Sequence, residues 1–404
     1  MKIVKVIIVA LAAMLGLSSC DNLSECNHDG DIAGTWTCNE PGYAEALVIN
    51  EDGSVVSYGV EDEEYWENVA GHITVENNTI TMTFEDQDNF TGHFDIIPGV
   101  AFSISNDEGE RYTYYYCSDD FSDEILGMWI VQNNEASEMS VNTYKNDGTV
   151  DSAGYHYLYG EQYEIISTGT YKVVGDMVFE SFTLYDEHIA YASRMVYTPN
   201  GSSLGDTMTQ TTYFTYGDET WESAATYIRV KQSLNLTGKK YFYSDLYITN
   251  VEGIDQDIEF MGGTFNFANM DGSNLDMTLK SLLFNIEFPD SNTLTYSYKN
   301  STSEPINVPV VVDGNKITVK MTQRVPTLKD VELYTFQDVN DSQMHIYMHK
   351  NQFVNFFTNM KAMLTVGKDE QFDINDPADI EDIYTRIDAA VQSINLSVVL
   401  KAAK

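Results

Sequence analysis

Three short motifs occur twice along this chain in the same order, and that ordered repetition limits its fold more than any other feature. Ile32-Ala33-Gly34-Thr35-Trp36 returns as Ile125-Leu126-Gly127-Met128-Trp129, 93 residues on. Glu51-Asp52-Gly53-Ser54-Val55 returns as Asn146-Asp147-Gly148-Thr149-Val150, 95 residues on. Gly71-His72-Ile73-Thr74-Val75, leading through Asn77-Asn78 into Ile80, returns as Gly169-Thr170-Tyr171-Lys172-Val173, leading through Gly175-Asp176 into Val178, 98 residues on. Order is kept while spacing drifts slowly, which is how homologous units in tandem read. A third copy is fainter. Leu236-Thr237-Gly238-Lys239-Lys240 carries Lys where the others carry Trp, and residues 308–319, turning at Asp313-Gly314, match the mid-unit hairpin. The units then divide as 32–120, 125–231 and 236–404.

Within each unit the pattern is that of short antiparallel strands. Residues 79–84 alternate as Thr-Ile-Thr-Met-Thr-Phe, and residues 111–116 read Arg-Tyr-Thr-Tyr-Tyr-Tyr. Such alternation buries one face of a strand. Asp52-Gly53, Asp147-Gly148, Asn200-Gly201 and Asp313-Gly314 supply the dipeptides that tight hairpins require. Helical spacing is confined to the two ends. Near the C-terminus, Asp376-Pro377 is an N-cap with proline at the first helical position. Ile380, Ile383, Tyr384, Ile387, Val391 and Ile394 then form an apolar stripe, and Ile394, Leu396, Val398 and Leu400 alternate like one closing strand. The expected fold class is all-β, with tandem small antiparallel barrels and an amphipathic helix near the C-terminus.

The N-terminus reads as an export signal. Lys2 and Lys5 precede an apolar run over residues 6–16, long enough for a signal peptide and too short to span a bilayer. Leu17-Ser18-Ser19-Cys20 resembles the lipobox of bacterial lipoproteins. The resemblance implies that residues 1–19 are removed, that Cys20 is acylated, and that residues 20–31 are a linker to a membrane. Asp21 behind the anchor resembles an inner-membrane retention signal of many Gram-negative bacteria, whereas Asp21 with Glu25 resembles an acidic surface-export signal. The expectation is an outer-membrane lipoprotein, either surface-exposed or facing the periplasm.

Charge narrows the partners. The formal net charge is −40, and removing the leader takes away two lysines and no acids, leaving −42. A field of that sign repels nucleic acid and anionic lipid surfaces.

The Gly-x-Trp opening, at Gly34 and Trp36 and again at Gly127 and Trp129, resembles that of lipocalin-like (calycin-type) domains in cell-envelope lipoproteins of Gram-negative gut bacteria. The resemblance implies a barrel whose glycine lets the first strand enter closely and whose tryptophan plugs the closed end. It further implies an arginine on the last strand lying over the Trp ring, a cation–π contact. Arg229 matches that position in the second unit, while Arg111 is the only arginine near it in the first. The third unit lacks both motifs, yet its final helix and strand resemble the ending of full lipocalins. Because first and last strands of a closed barrel are neighbours, the resemblance also suggests a Cys38–Cys117 disulfide; three free thiols, or a pairing through Cys26, are the alternatives.

Chemical motifs are scarce. The sequence holds no nucleophile elbow, zinc-binding His pair, phosphate loop or dinucleotide fingerprint, so no catalytic residue, cofactor or metal is expected. Residues 61–64 and 85–89 are acidic runs that read as solvated loops before they read as Ca²⁺ sites, and residues 202–206 read as a turn. Tyr112, Tyr114 and Tyr116 share one strand face, and Tyr155, Tyr157, Tyr159 and Tyr163 share one stretch. Such rings line a pocket, stack on a partner, or simply fill a core. Two functions follow as expectations: a lipoprotein that binds a small apolar or amphipathic ligand in a barrel, or a non-enzymatic spacer or adhesive protein of an envelope assembly with an envelope protein as its partner.

Overall fold

The computed structural model describes residues 32–403 apart from 62–63, 85–88, 107–108, 132–138, 159–160, 185–186, 200–205, 217–218, 254, 256, 261–262, 268–275, 278–279, 281–282, 299–303 and 367–370. Cys20 and Cys26 therefore lie outside the described residues, as do most of the two acidic runs and all but Asp206 of the 202–206 turn.

Three closed eight-stranded antiparallel barrels follow one another along the chain. The first runs from the strand Gly34–Glu40 to the strand Arg111–Cys117, the second from Gly127–Val131 to Glu219–Val230, and the third from Lys239–Gly253 to Val391–Ala402. Each closes first strand on last: Trp36 sits opposite Tyr116, Trp129 opposite Arg229, and Tyr241 opposite Ala402.

All three barrels use the same hairpin devices, which is the physical content of the sequence repetition. At the second turn an Asp side chain folds back on the chain. Asp52 accepts from the Ser54 amide at 2.9 Å, Asp147 from the Thr149 amide at 3.0 Å, and Asp290 from the Asn292 amide at 2.8 Å. The carbonyl of the following turn residue then takes an amide from the fourth strand: Ile73 to Gly53, Tyr171 to Gly148 and Val310 to Asn292, each at 2.8 Å. The hairpin turns ending in Asn78, Asp176 and Asn315, between the fourth and fifth strands, accept in the same way from the sixth strand, from Phe94, Met195 and Thr335 at 2.8, 2.6 and 2.7 Å. Gly71 and Gly169 share a further feature. Each lies opposite a phenylalanine, Phe84 or Phe182, whose ring would stand 2.5 or 2.6 Å from an added Cβ.

The third barrel carries additions. A two-stranded hairpin, Asp257–Phe260 with Gly263–Asn266, is inserted between its first and second strands. Two helices separate its seventh and eighth strands: α1, Lys350–Thr365, and α2, Pro377–Ala390. α2 is the helix expected from the sequence, with the Asp376 side chain accepting from the Ala378 amide at 2.9 Å and Ile380, Ile383 and Ile387 buried. Val391 and Ile394, counted in its apolar stripe, belong instead to the closing strand. α1 was not foreseen. It starts directly at the end of a strand, with no side-chain cap and no acid in its first turn, so the usual start signals are missing.

Barrel 1 is one compact unit, and barrels 2 and 3 together form another. In that second unit Ile130, Val141, Ile228 and Val230 of barrel 2 share one apolar cluster with Phe336 and Tyr347 of barrel 3. The Tyr347 hydroxyl donates to the Val131 carbonyl at 3.0 Å, and the Lys231 amide donates to Gln337 at 2.9 Å. Lys231 and Lys239 both pair with Asp341. The segment between the barrels is thus bonded down at both ends.

The Cys38–Cys117 disulfide is not formed. Cys38 is fully buried on the inward side with Trp36, whereas Cys117 sits opposite Thr35, on the other parity of the same strand pair. Adjacent strands do bring the two segments together, but side chains of opposite parity leave opposite faces of the sheet, and no disulfide spans that arrangement.

Candidate functional site

The barrel interiors are where the three units diverge, and they are the candidate sites. At the closed end of barrel 1, Trp36 is fully buried and its indole donates to the Ile32 carbonyl at 2.7 Å. Trp129 does the same to Ile125, also at 2.7 Å. Arg229 lies over the Trp129 ring at 4.6 Å and is pinned there by the Leu126 carbonyl at 2.7 Å, the Glu124 carbonyl and the Asp206 carboxylate at 3.3 Å. In barrel 1 the matching residue is Tyr116, edge-on to Trp36 at 5.3 Å. Arg111 does not take this place; it donates to Ser103 and reaches Asp95 at 3.8 Å. In barrel 3 the buried aromatic is Tyr241, one residue after the Gly-Lys-Lys run, and its hydroxyl accepts from Gln337 at 2.7 Å.

Further inside, barrels 1 and 2 each bury a carboxylate among tyrosines. Glu45 accepts from Tyr43 at 2.6 Å, from Tyr114, and from Ser57 at 2.5 Å. Trp66 donates to Ser57 at 2.7 Å, extending the network. Burial pushes the Glu45 carboxyl up, against the opposing pull of these hydroxyl donors. In barrel 2 the acid is Glu180, bonded by Tyr144 at 3.0 Å, with Gln210 donating to that hydroxyl at 3.1 Å. Burial raises Glu180 to about 7, and burial together with the Glu180 charge raises Tyr227 to about 12. The two networks are not at matching positions. Register places Met82 of barrel 1 where barrel 2 has Glu180, and Ser140 of barrel 2 where barrel 1 has Glu45.

No motif marks these acids, yet the sequence carries a signal. Tyr43, Glu45, Leu47 and Ile49 share one parity, as do Val178, Glu180 and Phe182, so each acid stands in an inward series. Tyr112, Tyr114 and Tyr116 do share a face, as expected: Tyr112 packs on Tyr43 at 4.4 Å and Tyr114 stacks on Phe102 at 4.8 Å. They are core and closure residues. Tyr159 and the side chains of Tyr155, Tyr157, Tyr163 and Trp221 lie outside the described residues.

Barrel 3 has a different interior. It encloses a cavity of about 160 Å³. Strand side chains such as Ile286, Leu294, Leu333, Ile346 and Val398 make its wall, and α1 covers it with Phe353, Phe356, Phe357, Met360 and Met363. The one amide among the described lining residues, Asn359, is already used: it accepts from the Lys329 amide at 3.1 Å and donates to the Lys329 carbonyl at 2.7 Å. Phe353 and Phe357 stack at 5.2 Å, and Phe267, from the insertion after the first strand, packs on both at 5.8 and 6.0 Å. Gly253 lets Phe267 come this close, since a Cβ there would lie 2.5 Å from that of Phe267. Among the described residues, no group of three or more His, Cys, Asp or Glu side chains is placed to hold a metal ion, and no helix is long and apolar enough to cross a membrane.

No family model and no curated protein matches the sequence. Among solved structures, DNA polymerase III subunit beta from Pseudomonas aeruginosa aligns over 93% of this chain and 93% of its own, at 8% identity and a TM-score of 0.14. A score that low carries no argument about fold or function.

Proposed function

We propose that this chain is a lipid-anchored cell-envelope protein, acylated at Cys20 and held at the outer membrane, whose third barrel binds a small apolar ligand. The observation that carries the reading is the apolar cavity of about 160 Å³ enclosed by barrel 3 under α1. Well-packed interiors keep few voids larger than a water molecule, so a space of this size with a purpose-built cover favours a ligand. The final helix and strand of the third unit, which resemble the ending of full lipocalins, point the same way. No chemistry is assigned to the protein: it acts by binding and not as an enzyme.

A second reading draws on barrels 1 and 2. Their interiors are occupied by Trp, Phe and Tyr rings around a bonded carboxylate, so these modules serve as rigid spacers or as surfaces for an envelope protein partner. The two readings assign different barrels and can hold together. Native mass spectrometry of protein extracted from its own membrane tests the first. A stoichiometric small molecule is expected in the wild type and lost from Val331→Phe/Leu396→Phe, which fills the cavity. An empty wild-type protein overturns the binding reading. Metabolic labelling with a fatty acid, lost in Cys20→Ala, tests the anchor.

A further inference from the structure

Resting on the reading of barrel 3 as a binding barrel, we propose that the group it buries is bare, uncharged hydrocarbon, about the size of one aromatic ring or a short alkyl segment. The lining decides the polarity. Among the described lining side chains, apart from Asn359, whose two polar ends are bonded to the Lys329 backbone, the only polar atom is the Tyr296 hydroxyl, which donates to the Met363 sulfur at 3.8 Å. A ligand carboxylate or hydroxyl drawn inside would leave water without a matching partner, which weakens binding by about a hundredfold or more.

Size and shape follow from the same wall. A dry apolar cavity of about 150 Å³ in another protein is enough for a benzene-sized guest, and this one measures about 160 Å³. Met321, Met344, Met348, Met360 and Met363 all reach it. Unbranched thioethers adapt to irregular guests, so the site selects by polarity more than by outline. The long-range field acts in the same sense: a chain with formal charge −40 disfavours the approach of anionic amphiphiles. The occupant is then a neutral hydrocarbon, or the hydrocarbon end of a neutral molecule whose polar part stays outside.

The test uses the full chain with Cys20→Ser, so that no acyl chain of its own competes. Toluene, phenol and benzoate are titrated against it, with thermal unfolding and displacement of a bound apolar fluorophore as readouts. Toluene is expected to raise the transition temperature and displace the probe, with benzoate at least about a hundredfold weaker and phenol between them. Val331→Phe/Leu396→Phe should abolish the toluene effect; Ile97→Ser, an exposed substitution in barrel 1, should leave it unchanged. Benzoate binding as well as toluene, and lost in the filled variant, overturns the hydrocarbon assignment while leaving the binding barrel intact. Toluene failing to bind also overturns it. If native mass spectrometry of the wild type is then empty as well, the binding reading falls with it.

Discussion

Barrels 1 and 3 are built from the same strand count and the same turn devices, yet one is packed with rings and the other is hollow. In barrel 1, Trp36, Phe94, Phe102 and Tyr114 meet within the barrel, and Glu45 ties the hydroxyls together. In barrel 3 most inward positions around the cavity carry Leu, Ile, Val and Met, with Phe288 and Tyr296 as strand aromatics, and Phe353, Phe356 and Phe357 come from α1 above them. Placing the bulk on the strands fills a small barrel; placing it on a cover leaves space beneath. The shared hydrogen-bonded frame therefore sets the architecture, while the size of the inward side chains decides whether a barrel is a solid module or a container.

The largest test of the solid modules is removal of a plug. Trp129→Ala deletes a fully buried indole and its bond to Ile125; it should cost about 3–5 kcal/mol, read by urea denaturation. Next in size is the pH response of Glu180. Its folded pKa of about 7 lies above the ordinary 4.5, so the native state holds the proton more tightly. The resulting stability is full below pH 4.5, declines as pH rises from 4.5 to 7, and is gone above 7. The whole swing is about 3 kcal/mol. Glu180→Gln should remove this decline, so that its advantage over wild type grows across that window. His345 works in the opposite sense within the same unit. It shares the outward parity of Phe336 and Tyr347, and burial lowers it to about 4, so its stability contribution falls as pH drops from 6.5 to 4. His345→Leu should therefore remove the fall between pH 6.5 and 4 and leave the opposite Glu180 decline in place.

Much of this frame was legible in the sequence because turns and strand parity are local. The Asp-Gly and Asn-Asn turns, the opening Gly-x-Trp and the cap at Asp376 each depend on a few adjacent residues, and their repetition exposed the tandem barrels. The disulfide expectation failed on the same local property, since adjacency of strands was counted and parity was not. α1 stayed hidden because it is rich in Phe, Asn and Thr, weak helix formers, and lacks a cap; only its packing on the third barrel makes it a helix. The cavity was illegible for another reason. Empty volume depends on how eight strands and a cover close together, and no window of sequence carries that sum.

Filling experiments sharpen the contrast between packed and hollow. Ile80→Phe, at a fully buried inward position of barrel 1, should cost about 1–3 kcal/mol by overpacking. Val331→Phe enlarges a side chain that borders the barrel-3 cavity and should change stability by less than about 1 kcal/mol. Equal costs for the two would mean that the third barrel has no usable space, and chemical denaturation of both variants reads the difference directly.

The finest comparison lies between the closed ends of barrels 1 and 2. Gly34 and Gly127 hold φ of +137° and +115°, a region in which any side chain is strained. Alanine at either therefore pays a shared backbone cost. At Gly127 nothing else is disturbed, because the nearest atom to an added Cβ is the Arg229 guanidinium at 3.7 Å. At Gly34 the added Cβ would stand 2.7 Å from the Tyr116 ring, which must leave its edge contact with Trp36. Gly34→Ala should accordingly be the more damaging by about 1 kcal/mol, and Tyr116→Ala in the same chain should erase that extra loss, since the ring that obstructs the methyl group is then gone. An equal cost at both glycines would show that Tyr116 moves aside freely and does not close barrel 1 as Arg229 closes barrel 2.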